Sequence, residues 1–252
     1  MTAVHDLNDP RYPEHGPFVV RRPTMRMVWD QLTMLHWRYP VEEVQRLIPD
    51  RLRVESFDGS AWVGLIPFRM RIDLPFLPAM PRILHFPETN VRTYVVDRRG
   101  RPGVWFFSLE ASSLPAVVTA RTTYRVPYFW ADMDIEEPDG PGARLIYRSR
   151  RRWPGPRGAS SLVDVDVGEV VGPGRSEPLD RFLTARWALY GTLGPLTVRA
   201  EMFHEPWPLH RGEVRALDDE LVAAAGLRQP TDEPVVHVSP GVHVRCGWPT
   251  RA

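Results

Sequence analysis

Hydrophobic and polar positions alternate with period two along much of this chain, and the cleanest alternation lies between Phe86 and Val96. There Glu88, Asn90, Arg92 and Tyr94 fall on one face of a predicted strand, and Thr89, Val91, Thr93 and Val95 on the other. Thr, Val and Tyr fit a pleated, half-buried surface, which supports the strand. A turn at Phe57-Asp58-Gly59 introduces a second strand over residues 61–72, where Pro67 signals an edge or a bulge. Residues 104–109 are apolar on both faces, which predicts deep burial. Further strands are predicted over 117–126, 144–153, 161–167 and 197–204. Segments 235–238 and 242–245 flank Ser239-Pro240-Gly241 and predict a hairpin.

Helical periodicity is rarer. Residues 40–48 predict a short helix, with proline in its first position, acids in its first turn and Val41, Val44, Leu47 and Ile48 on one face. Ser176-Glu177-Pro178 opens a longer one, on which Leu179, Phe182, Leu183, Arg186, Trp187 and Tyr190 share a stripe. A small helix over 218–225 closes at Gly226. Residues 25–39 fit strand and helix patterns equally. Residues 1–23 form an irregular lead-in, and the proline-rich, apolar stretch 74–83 suits either a lid or a subunit contact. Many strands, few helices, short turns and no linker predict one α+β domain over residues 24–252, built mainly on antiparallel sheet.

Composition narrows the function classes. A 43% hydrophobic content is ample for a packed core, and a net charge of +1 argues against the concentrated basic surface that nucleic-acid binding requires. The basic run at Arg148-Ser149-Arg150-Arg151-Arg152 reads as a strand with one wet face. No apolar run approaches the ~18 residues of a membrane helix, and residues 1–22 lack an apolar signal core. One cysteine, Cys246, cannot form an internal disulfide and fits a reducing cytoplasm. The expected partner is a small molecule, with neither nucleic acid nor membrane, and a homo-oligomer is compatible with the pattern. The chain contains no lysine, so all 32 of its basic residues are arginine and no side chain can form a Schiff base with a carbonyl substrate.

The acid, amide, guanidinium and phenol on one face of the 86–96 strand admit two readings: a solvated outer face, or the wall of a site. At roughly 6.8 Å per two residues, Glu88 and Arg92 can lean over Asn90 toward one small ligand. Burial would raise the Glu88 pKa and suit it to general acid–base work, unless Arg92 pairs with it and fixes it as a structural ion pair. Arg121 and Arg125 share a predicted strand face opposite Tyr124, Val126 and Tyr128, and that face reads as surface. His85 and Glu88 have an odd offset, His237 and His243 point apart in the predicted hairpin, and the 204–210 histidines lack a metal spacing, so no metal site is expected. No cofactor is expected. Cys246 reads as a small core residue, and neither a nucleophile elbow nor a phosphate-binding glycine loop occurs.

Several segments together carry a family resemblance: His36-Trp37 before the proline-initiated helix, Phe57-Asp58-Gly59-Ser60-Ala61-Trp62-Val63-Gly64 leading to Pro67-Phe68, and Glu88-Thr89-Asn90-Val91-Arg92-Thr93-Tyr94-Val95. To these are added Gly103-Val104-Trp105-Phe106-Phe107-Ser108-Leu109, Tyr124-Arg125-Val126-Pro127-Tyr128 and His204-Glu205-Pro206-Trp207-Pro208-Leu209. From about Trp29 to Trp248 the chain resembles the YqjF-like family of bacterial proteins, within the acetoacetate-decarboxylase-like superfamily. The resemblance implies an antiparallel, barrel-like sheet around an apolar cavity, with short peripheral helices. In the decarboxylase a Gly-x-Pro-Lys segment supplies the Schiff-base lysine; here the corresponding stretch is Arg125-Val126-Pro127-Tyr128, with tyrosine in that place. The imine mechanism therefore does not carry over. The pocket so implied has Glu88 handling a proton and Arg92 a negative charge, with Asn90, Tyr94 and Tyr128 orienting the substrate and Tyr124, His36 and Trp62 contributing to the lining. Decarboxylation, enolisation, aldol or dehydration chemistry would suit that set; a non-catalytic binding or sensing protein using the same cavity, or a scaffold with a filled core, is the alternative.

Overall fold

The computed structural model describes residues 10–73, 84–124, 126–140, 142–172 and 176–252; the stretch 74–83, Arg125 and the Tyr124 side chain, all part of the sequence-based reading, lie outside them. Residues 10–23 carry neither helix nor strand, although Tyr12 and Val20 are buried. The strands are β1 (Met25–Tyr39), β2 (Leu52–Val54), β3 (Ala61–Asp73), β4 (His85–Asp97), β5 (Pro102–Ala111), β6 (Tyr128–Glu136), β7 (Arg144–Trp153), β8 (Ser160–Val170), β9 (Ala188–Leu193), β10 (Leu196–His204), β11 (His210–Asp219), β12 (Val235–Cys246) and β13 (Thr250–Arg251). The helices are short: α1 (Val41–Gln45), α2 (Leu114–Thr119), which runs on into a π-helical turn at Ala120–Tyr124, α3 (Pro178–Thr184) and α4 (Leu221–Ala224). None is long and apolar enough to cross a membrane.

Among the described residues all thirteen strands belong to one mainly antiparallel, ring-like sheet. Its wall is β12-β1-β3-β4-β5, paired antiparallel throughout. Each outer strand of that wall has two partners on its free edge. β12 pairs β11 at His237 and Val238 but β10 at Val244 and Cys246. β5 pairs β6 at Leu109–Ala111 but β9 at Val104 and Trp105, both in parallel. Two closed circuits of pairing therefore share the wall, one completed by β9 and β10, the other by β6, β7, β8 and β11. One apolar cluster joins Leu35, Val63, Leu65, Val91 and Val95 of the wall to Leu145, Tyr147, Val163 and Val165 of β7 and β8. A second joins Met34, Ile66, Phe68, Phe86 and Ala111 to Ala200 and Met202 of β10.

This arrangement explains β1. Its residues from Leu32 to Trp37 are all buried, because wall strands have both faces covered and so lose the alternation that identifies a strand. Pro67 does not mark an edge, since β3 lies between β1 and β4. It lies opposite a bulge in β1, where pairing jumps from Asp30–Arg69 to Leu35–Leu65 and Gln31 takes φ 47°. The predicted hairpin at Pro240-Gly241 is instead the middle of continuous β12, held by β1 pairs on both sides, Leu32–Ser239 and Asp30–Gly241. Gly241 has φ 132°, and a side chain there would begin 2.2 Å from the Trp29 carbonyl oxygen.

Other expectations change for similar reasons. The strand over 117–126 is the α2 helix and its π-helical extension, started by Ser113, whose hydroxyl accepts the Ala116 N–H, and by Pro115 in the first turn. The long helix through Tyr190 stops at Thr184, because residues 188–193 pair with β10 and Trp187 stacks on His204 at 4.3 Å. Asp218 and Asp219 finish β11, so the helix over 218–225 contracts to α4. Trp105, Phe106 and Phe107 are only half-buried, where a bulge shifts the β4–β5 register. The basic run does alternate as expected: Arg148, Arg150 and Arg152 are exposed, Ser149 and Arg151 buried.

Candidate functional site

The row Glu88-Asn90-Arg92-Tyr94 lies inside the protein. On neighbouring wall strands Glu88 is opposite Phe68 and Ala111, Asn90 opposite Ile66 and Leu109, and Arg92 opposite Gly64 and Phe106. Directly opposed residues share a face, so the row is bordered by apolar groups rather than water. Glu88 is 2% exposed, and the Tyr128 hydroxyl donates to its Oε2 at 2.9 Å. Burial pushes its carboxyl up to about 8; the Tyr128 hydrogen bond works against that shift, and the Glu110 charge adds to it. Glu88 thus holds a proton at neutral pH and gives it up near the upper end of the physiological range.

Arg92 makes no ion pair among the described residues. Its Nη2 approaches Met34 Sδ at 3.9 Å, its guanidinium lies 5.8 Å from the centre of the Tyr94 ring, and its Nε has no partner. Its charge is felt by two buried histidines. His36 is fully buried, and burial, followed by Arg92, holds its pKa well below the usual histidine value. His204 is lowered as well, by burial first and Arg92 last. Tyr94 donates its one proton to the Leu183 carbonyl at 2.7 Å, so the 2.6 Å contact between its oxygen and His36 Nε2 assigns the imidazole proton to Nε2. His36 Nδ1 is then a bare acceptor, and it has no partner. His36, Gly64 and Arg92 stand side by side on β1, β3 and β4, and a Cβ on Gly64 would lie 2.9 Å from the His36 ring. Asn90 Oδ1 is likewise unpartnered. The face therefore presents a proton donor or acceptor at Glu88, a free cation at Arg92 and acceptors at Asn90 and His36.

The predicted set is only partly brought together. Glu88 meets Tyr128 rather than Arg92, so the two do not form the ion pair that was one of the expectations. Tyr94 is fixed between His36 and Leu183, with the Arg186 guanidinium 4.3 Å from its ring centre. Trp62 is buried beside Tyr94, its ring 5.1 Å from the Arg38 guanidinium. Arg121 is on the π-helical turn, not a strand, and donates to the Tyr128 carbonyl at 2.6 Å. His237, dismissed with the hairpin, is fully buried and bonds Asp180 at 2.7 Å, while Arg211 grips the same carboxylate through both Nη atoms. Burial alone would raise the Asp180 carboxyl; hydrogen bonds from His237 and Arg211 hold it well below the carboxylate range.

Another buried carboxylate, Glu110, escaped sequence reasoning because it lies one residue past the predicted strand 104–109, beyond the β5 bulge. Arg151 donates to its Oε1 from both Nε (3.0 Å) and Nη2, and the Ser108 hydroxyl donates to Oε2 at 3.1 Å. Burial raises Glu110 too, and there Arg151 and Ser108 pull against it. Among the described residues no three His, Cys, Asp or Glu side chains group to hold a metal. A pocket of about 820 Å³ lies between α2, β6 and β7, and Glu88, Asn90 and Arg92 are not in its lining.

Comparison with solved structures defines the class. The enduracididine biosynthesis enzyme MppR, solved in complex with pyruvate, matches at TM-score 0.64 and 14% identity over 93% of each chain. An acetoacetate-decarboxylase-like enzyme from Sphingomonas wittichii RW1 matches at 0.64 and 15% identity, over 91% of this chain and 93% of that one. Acetoacetate decarboxylase from Legionella pneumophila matches at 0.63 and 11% identity, over 90% and 87%. The fold is acetoacetate-decarboxylase-like. Residues 26–243 match the family DUF2071, described as an uncharacterized conserved protein, and the chain belongs to that family. It is 32% identical over 230 residues to the uncharacterized protein YqjF of Bacillus subtilis (strain 168), covering 90% of this chain and 91% of YqjF.

Proposed function

We propose that the protein is an enzyme that moves a proton on a small oxo acid, with Glu88 as the acid–base group, Arg92 as the carboxylate clamp and no imine intermediate. The observation that carries this reading is a buried carboxyl with a pKa of about 8, held only by a tyrosine, on the same strand face as a cation without a counter-ion. An arginine buried without an anion is costly, and a bound carboxylate offsets that cost through two charge-assisted hydrogen bonds. The ionised Glu88 takes a proton from the carbon next to the substrate carbonyl; the C–H electron pair moves into the C–C bond and the carbonyl pair onto oxygen. Protonated Glu88 returns the proton in the reverse step. Asn90, Tyr128 and neutral His36 orient the substrate. The pyruvate bound by MppR and the acetoacetate of the decarboxylases supply the substrate class as an analogy of fold.

The test is a thermal-shift titration of wild type and Glu88→Gln with pyruvate, acetoacetate and simple ketones, followed by proton exchange in heavy water read by NMR. The expected result is stabilisation of both proteins by an oxo acid and exchange of its α-protons only by wild type. Equal exchange by both removes Glu88 from the chemistry. Stabilisation without exchange in wild type leaves a binding protein, and no shift in either protein removes the site.

A further inference from the structure

The pocket between α2, β6 and β7 is built differently from the Glu88 face. Its walls include Leu114, Val118 and Trp153, which are 40%, 43% and 42% exposed. Its polar lining comprises four arginines and one carboxylate, Asp132. Arg152 is paired with Asp132, and Arg151 with Glu110. Arg150 and Arg157 make no ion pair among the described residues. Arg151 is 1% exposed, and its Nη1 has no partner although Nε and Nη2 are committed to Glu110. An exposed guanidinium without a counter-ion, as at Arg150 and Arg157, is a ready donor for an anion. Arg121 lies 5.6 Å from the centre of the Trp153 ring, bracing it as a flat wall.

We infer that this pocket is a second binding site, for a small molecule in which an aromatic ring carries a phosphate or a carboxylate. The oxyanion meets Arg150 and Arg157, and the ring lies against Trp153 and the α2 side chains. The volume falls within the range of about 300–1,000 Å³ typical of small-ligand sites and admits a mononucleotide. Nothing in this inference depends on the chemistry at Glu88.

Isothermal titration at low salt with adenosine monophosphate and 2-naphthoate tests it, with inorganic phosphate as the ring-free control. At least one of the two should bind one to one, and phosphate alone about tenfold more weakly or worse. Arg150→Gln combined with Arg157→Gln, both exposed positions, should weaken binding about tenfold or more, as should Trp153→Ala, while Glu88→Gln leaves it unchanged. Preference for the nucleotide or for the naphthoate identifies phosphate or carboxylate as the natural head group. The inference is overturned if neither probe binds, if phosphate binds as well as either, or if the arginine pair can be removed without loss. Self-association abolished by Trp153→Ala would also overturn it, in favour of a subunit contact.

Discussion

Glu88 and Glu110 lie on adjacent strands of the same wall, are 2% and 0% exposed, and are close enough for the charge of one to raise the pKa of the other. They differ in what faces them. Glu110 has a guanidinium on one oxygen and a hydroxyl on the other. Glu88 has a phenol, while the arginine two positions beyond Asn90 on its own face points elsewhere. A charge that is matched inside a protein becomes architecture, and one that is left unmatched remains available for exchange with a ligand or a proton. Glu88 and Glu110 lie on opposite faces of the wall, since Glu110 is opposite Thr89.

The largest expected effect lies on the matched side. Arg151→Met leaves Glu110 buried without a partner and should cost about 3–5 kcal/mol, a fall in melting temperature of about 10 °C by calorimetry. Adding Glu110→Leu should recover most of that loss, and a double variant no better than the single would show that the cost came from packing rather than charge. The unmatched side should reveal itself through pH. The Glu88 carboxyl has an ordinary value of 4.5 and is held at about 8 in the fold, so the folded state binds the extra proton between those values. Its contribution is complete below about pH 4.5 and is lost as pH rises through about 8. Wild type should therefore lose roughly 2–4 kcal/mol relative to Glu88→Gln across that window, read as diverging melting temperatures. Parallel curves for the two proteins would mean that Glu88 is paired after all. The smallest effect tunes that titration: Tyr128→Phe removes a hydrogen bond that favours the ionised carboxyl, and the Glu88 midpoint, followed by carbon-13 NMR, should rise by about half a pH unit to one.

Because each has a clear period or start signal, β7 was legible to the residue, α1 to one residue at its start and three at its end, and β4 to one residue at either end. Its burial was not. A row of Glu, Asn, Arg and Tyr reads as a wet face until the strands beside it are known, and only the family resemblance pointed inward. Local signals failed wherever long-range pairing outweighed them: Pro240-Gly241 spells a turn but is held straight by β1, and the stripe from Leu179 to Tyr190 spells a helix but leaves it after Thr184 and ends in β9. The partners that complete the polar interior, Arg151, His237 and Asp180, come from distant parts of the chain, and only Arg151, on the buried side of an alternating run, is marked by its local sequence.

β12 pairs with β1, β10 and β11, all of which precede it in the chain, and the link from Thr24 to Cys246 spans 222 residues. Both circuits close through this one strand. A growing polypeptide therefore carries β1, β10 and β11 with unsatisfied edges until β12 has been synthesised, a period in which those edges can recruit each other's copies. The charges spaced along these edges, such as Arg26, Arg211, Glu213 and Arg215, are then useful before the fold exists, as deterrents to the wrong neighbour while the right one is still being made.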